Sequence, residues 1–259
     1  MLHNLRWLFM LALLSAAGCS TSGSSGSGVR SDSREQARDA ASANTQLGQS
    51  YMKQGKYEVA LQKLQRALAL DANFVDAHTV IAVLYENIGD SKQAEHHYRR
   101  ASQLKPKGGD EANNYGTFLC KLQRPDEAEK YFQIALADPF YQTPDIALVN
   151  AGTCFAGSGK YDAAERTLRT ALERRSDNAD ALFQMANVQY GKGQYLQARA
   201  FMQRLDATGA IGPDALLLGR NIEAKLDNAH GAAEFSRRLI RDFPKSPQAK
   251  SLGPAQGAG

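Results

Sequence analysis

Two different apolar patterns share this chain. Near the start, Arg6 precedes an unbroken apolar stretch from Trp7 to Leu14, followed by the small residues Ser15, Ala16, Ala17 and Gly18. Beyond residue 40 the apolar positions are interrupted by polar ones, and the arrangement itself recurs. Tyr51, Gly55, Ala60 and Ala67 return as Tyr85, Gly89, Ala94 and Ala101, each 34 residues later. A 34-residue period with small residues at fixed offsets predicts tetratricopeptide (TPR) units, each a helix–turn–helix. The fold class expected is all-α, a superhelical solenoid of about six such repeats.

The register places repeats near 41–74, 75–108, 109–144, 145–178, 179–212 and 213–246. The third runs two residues long through DPFYQTP, and the sixth is degenerate. First helices carry a small residue at the crossing point (Gly48, Ala82, Gly116, Gly152, Ala186) and second helices answer with Ala60, Ala94, Ala128, Ala164 and Ala198. A larger side chain there would overpack the contact at ~1–3 kcal/mol. Gly55, Gly89, Gly159 and Gly193 fall at the inter-helix turn, where a left-handed backbone favours glycine. Repeats 3 and 6 have Gln123 and Asp227 instead, so those turns are expected to differ. No unit can bury its apolar face alone, so the array must share one stacked core.

The N-terminal run reads as a secretory signal peptide over 1–18, too short for a permanent span. Cys19 follows Ala-Ala-Gly, where a lipobox places its acylated residue, so a lipid anchor in the outer membrane is expected at Cys19, with Ser20 next. Residues 19–40, opening STSGSSGSGV after the cysteine, are expected to be a flexible linker. The stretch 247–259 has little apolar content and is expected to be a disordered tail.

Composition adds little that favours other classes. The formal net charge is +4, with acids interspersed among the bases, so no nucleic-acid stripe is expected. Gly157-Ser158-Gly159-Lys160 resembles a phosphate loop only in part, since Tyr161 replaces Ser/Thr and Cys154 stands at the first glycine. His96 and His97 are neighbours that point about 100° apart on a helix, a poor metal pair. The expectation is a non-enzyme without cofactor or metal, and monomeric.

Cys120 and Cys154 remain after Cys19 is set aside, on the first helices of successive repeats. An even pair in an exported chain predicts a disulfide, the alternative being two buried free thiols. For binding, the outward positions of the first helices are the candidates: Thr45, Gln49 and Met52; Asp76, Thr79, Val83 and Glu86; Asn113 and Thr117; Phe183, Asn187 and Tyr190. They suit an amphipathic helix or an extended peptide. Where chaperone-type TPR domains clamp a peptide carboxylate with Lys and Arg, this chain has Thr45, Asp110 and Asn114, which argues against that mode.

Asn113 to Cys120 (NNYGTFLC), DPFYQTPDIALVNAGTC, Leu216-Leu217-Leu218-Gly219 and the closing Phe243-Pro244-Lys245-Ser246 together resemble the type IV pilus biogenesis and stability lipoproteins, the PilF/PilW family. Arg220-Asn221 departs from that likeness. The resemblance implies a pilotin that binds the outer-membrane secretin and promotes its localisation or multimerisation. A rival reading is a periplasmic TPR scaffold or cofactor of a cell-wall enzyme.

Overall fold

In the computed structural model, residues 28–252 are described; the signal segment, Cys19 and residues 253–259 lie outside them. Six helical hairpins follow one another: α1 (Gly28–Lys53) with α2 (Tyr57–Leu70), α3 (Val75–Asn87) with α4 (Ser91–Leu104), and α5 (Gly109–Lys121) with α6 (Pro125–Ala137). Then come α7 (Pro144–Gly157) with α8 (Tyr161–Arg174), α9 (Ala179–Gly191) with α10 (Tyr195–Ala207), and α11 (Pro213–Lys225) with α12 (Ala229–Asp242). A short α13 (Pro247–Ser251) closes the described chain. No strand occurs among the described residues.

The crossing glycines do what their spacing implies. A Cβ on Gly48 would lie 2.6 Å from Leu64 Cγ, and one on Gly152 would lie 2.5 Å from Leu168 Cγ. Gly116 has slightly more room, at 3.2 Å from the Ala128 carbonyl oxygen and from the Phe132 ring. In the sixth repeat Gly219 takes this role, 2.6 Å from Phe235. The answering alanines Ala60, Ala94, Ala128, Ala164 and Ala198 are fully buried. Around them one apolar cluster runs through repeats 2 to 5, including Tyr98, Phe118, Phe132, Phe155, Leu168 and Met185.

The turns hold their shape even without glycine. Gln123 and Asp227 adopt φ of 59° and 54°, beside 72–83° for Gly55, Gly89, Gly159 and Gly193. Tertiary packing of the hairpin overrides the local preference there.

Two boundaries are corrected. The expected linker 19–40 is helical from Gly28, because α1 continues N-terminally through a run of helix-compatible polar residues (SREQARDA) before it meets α2. The expected tail is helical over Pro247–Ser251: Ser246 Oγ accepts from the Ala249 amide at 3.1 Å, and Pro247 occupies the first turn. Ala249 and the half-buried Leu252 pack on Leu216 and Leu239, covering the open end of the last repeat.

Candidate partner-binding surface

The first helices stack in direct contact from α5 through α7 and α9 to α11, and α1 stacks on α3. Their outward residues therefore form a wall in two runs, α1–α3 and α5–α11. The expected positions divide sharply once placed on it.

In the first three repeats most polar candidates are already engaged. Thr45 is buried and donates its hydroxyl to the Ala41 carbonyl at 2.8 Å. Asn113 is also buried, and its side-chain oxygen accepts from Asn150 Nδ2 at 3.0 Å. These two are not groove contacts. Each lies where the first helix is covered, Thr45 on a helix packed by both α2 and α3, and Asn113 on one packed by α6 and α7. Thr79 and Thr117 donate to the carbonyls of Val75 and Asn113, four residues back. Glu86 accepts from the Tyr98 hydroxyl at 2.9 Å and pairs with Lys121. Met52 is half-buried against the Leu64–Ile81–Leu84 cluster. Gln49, Asp76 and Val83 remain exposed, Val83 at 36%.

The later repeats are different. Phe183 is half-buried against the cluster of Leu182, Met202 and Leu218, Tyr190 tilts against Tyr195 with centroids 5.4 Å apart, and Asn187 makes no side-chain hydrogen bond. Repeat 4 supplies residues that the sequence reasoning missed: Ile146, 51% exposed, and the half-buried Val149. The signal was present, since both sit at the register positions of Asp76 and Thr79.

Two clefts open at the hairpin ends. One of about 560 Å³ is lined by Tyr57, Val59, Leu61, Leu84 and Ile88 among others, with Ile88 49% exposed. Residues such as these were not among the expected sites, which lie on the outward face of the first helices alone. The other, of about 790 Å³, lies between Pro106 and Phe140, whose ring is 82% exposed on the DPFYQTP loop.

Cys120 and Cys154 are brought together as a pair joining α5 to α7, with Cα atoms 5.6 Å apart, within the range a disulfide spans. His97 does not pair with His96 as a ligand; its Nδ1 lies 2.9 Å from Nδ1 of His78. His78 Nε2 is 3.1 Å from the Ala72 carbonyl, which can only accept, so that nitrogen carries the proton and His78 Nδ1 accepts from His97. Burial, then the neighbouring His78 and His96, push His97 down to about 4. Among the described residues, no group of three His, Cys, Asp or Glu side chains could hold a metal. No described helix is long and apolar enough to cross a membrane.

Salt bridges lace the turns of the later repeats. Lys192 reaches Asp162 and Glu165, both at 2.8 Å, and Arg169 joins Glu165 at 2.6 Å. The hydrogen bond from Lys192, followed by that from Arg169, holds the Glu165 carboxyl at about 2 against the cost of its burial.

Residues 48–89 match a TPR-repeat family, and residues 75–107 and 155–218 match tetratricopeptide-repeat families. The chain is 28% identical over 239 residues to the type IV pilus assembly protein PilF of Pseudomonas aeruginosa, covering 92% of this chain and 93% of that protein. The crystal structure of PilW, a widely conserved type IV pilus biogenesis factor, superposes with a TM-score of 0.75 and 33% identity, over 82% of this chain and 97% of that one. The structure of Pseudomonas aeruginosa PilF gives 0.70 and 27%, over 85% and 97%.

Proposed function

The chain belongs to the PilF/PilW family of tetratricopeptide-repeat proteins, and from that premise we propose that it is a non-catalytic outer-membrane lipoprotein that binds the type IV pilus secretin. Acylated Cys19 is the anchor, and the array promotes localisation and multimerisation of the secretin. The observation that supports this reading is the 33% identity to PilW over 82% of this chain and 97% of that one, beyond the individual repeat matches.

The secretin contact is placed on repeats 1 and 2, where Val83, Tyr57 and Ile88 leave apolar side chains in water. A docked segment that enclosed them would gain the still-exposed third to half of the roughly 1.5–3 kcal/mol that full burial of an aliphatic side chain contributes. Anchoring confines array and partner to one membrane surface, which raises their effective concentration. The test is Val83→Glu with Ile88→Glu in cells making pili. Secretin multimers in outer-membrane fractions should fall to the level of a strain lacking this protein, with helical content and abundance unchanged. Cys19→Ala should release the chain from the membrane and abolish palmitate labelling. Normal multimers in the folded double variant would remove the secretin contact from this surface.

A further inference from the structure

We propose that the wall formed by α5, α7, α9 and α11 is a docking track for an extended protein segment in which an apolar residue is flanked, about three residues away on each side, by Lys or Arg. It rests on the array being a binding surface, not on secretin being the partner. The second position of the register in repeats 3 to 6 carries Asp110, Ile146, Asp180 and Asp214. All four are exposed, Ile146 at 51%. None of the three aspartates belongs to an ion pair among the described residues, although carboxylates elsewhere in the array do: Asp145 with Arg174, Glu165 with Lys192, Asp206 with Arg238. The track therefore reads acid, apolar, acid, acid.

Spacing then fixes the pattern of the occupant. Packed helices lie 8–10 Å apart, and a polyproline-II-type extended chain advances about 3.1 Å per residue with three residues per turn, so each step along the track spans about three residues and brings them to one face. A helix, at 1.5 Å per residue, would need about six residues per step, and side chains six apart lie about 120° from each other around its axis. The basic end is best defined at repeats 5 and 6. There Asp180 and Asp214 line one cleft of about 220 Å³, with Phe183, Leu205 and Pro213 in the same lining and no Lys or Arg. An apolar cleft wall with carboxylates in it suits the long aliphatic stem and charged head of Lys or Arg. Asp214 also accepts from Gln248 Nε2 on α13, which leaves its other oxygen available. At the opposite end, Asp110 shares its cleft with Lys107 and with Lys105, the latter already paired to Glu111, so the charge preference is weaker there.

The test uses the full mature chain and fluorescein-labelled peptides of about seven residues, with Arg at both ends and Leu in the middle. A second peptide has Glu in place of Arg, and a third has Ser in place of Leu. Anisotropy titrations should show the Arg–Leu–Arg peptide binding at least about tenfold more tightly than either relative, with affinity falling as salt rises. Asp180→Asn with Asp214→Asn should remove that preference, Ile146→Ser should weaken binding, and both variants should keep wild-type melting curves. Equal binding of the Glu peptide, or an unchanged affinity in the folded double variant, would overturn the proposal. So would loss of binding in Val83→Glu/Ile88→Glu, which would put the peptide in the N-terminal cleft. No secretin enters this assay, so its outcome is independent of the secretin test.

Discussion

Repeats 1 to 3 and repeats 4 to 6 obey one register, yet they present opposite surfaces. In the first half, the outward polar groups are largely spent inside the molecule: Thr45 on Ala41, Thr117 on Asn113, Glu86 on Tyr98 and Lys121. What it leaves exposed includes Ile88 and Tyr57 at a turn and Phe140 on the DPFYQTP loop, with Gln49 and Asp76 on the wall. In the second half the wall carries exposed Ile146 with Phe183 and Tyr190 beside the unpaired carboxylates Asp180 and Asp214, while turn ion pairs such as Lys192–Glu165 are shared with the first half, as in Lys121–Glu86. A repeat therefore specifies where a side chain points, while the partners within reach decide whether it is available.

The pair Cys120–Cys154 sits at the junction of the two halves, so removing it is the strongest way to break the comparison. Closing a loop of 34 residues constrains the unfolded chain by about 3–4 kcal/mol on the chain-entropy account. Cys120→Ser with Cys154→Ser, in protein isolated oxidised, should lose about that much in urea denaturation, and a reductant should reproduce it in the wild type. Alkylation of both thiols in native protein would show that the link is not made.

Next come the crossing glycines, which compare the halves directly. Gly152→Leu should cost about 3 kcal/mol and Gly116→Leu about 1–2, because the alanine carbonyl and Phe132 stand farther from Gly116 than Leu168 does from Gly152. Equal losses would mean that the core relaxes uniformly along the array.

Acid should distinguish the halves by window. His97 titrates lower in the folded chain than in the unfolded one, at about 4. The unfolded state therefore binds more protons between pH 6.5 and 4, and stability from the first half is lost as pH falls through that range. Glu165, held at about 2, contributes stability above pH 4.5 that is lost as pH falls toward 2. His97→Phe should flatten the melting temperature across the first window only, and Glu165→Gln across the second only. The smallest effect is a gain: Gln123→Gly relieves a left-handed residue and should raise stability by about 0.5–1 kcal/mol, with Asp227→Gly doing the same in the other half.

Much of this architecture was legible in the residues, because the period, the crossing glycines and the turn positions each follow from one geometric need. Gly116, Ala128 and Gly159 could be assigned without coordinates for that reason. The binding surface was legible only in outline. Val83, Phe183 and Tyr190 were placed on the outward face by register, but burial of Thr45 and Asn113 depends on neighbouring helices that spacing does not report. Ile88 belongs to a turn, outside the outward face of the first helices. The helical starts and stops at Gly28 and Pro247 escaped too, since polar residues that suit a linker also suit an exposed helix, and Ala249 gains its contacts only from the folded last repeat.

The length of α1 has a mechanical consequence. At 26 residues it is about twice as long as the other first helices, and the excess projects from the edge where the chain enters the array. That overhang is a strut of about 20 Å at 1.5 Å per residue. With Cys19 as anchor, the nine residues 19–27 add at most about 30 Å in any conformation. If Cys19 is acylated as proposed, a pull on a partner held by the array would reach the membrane through the first repeat and this helical arm.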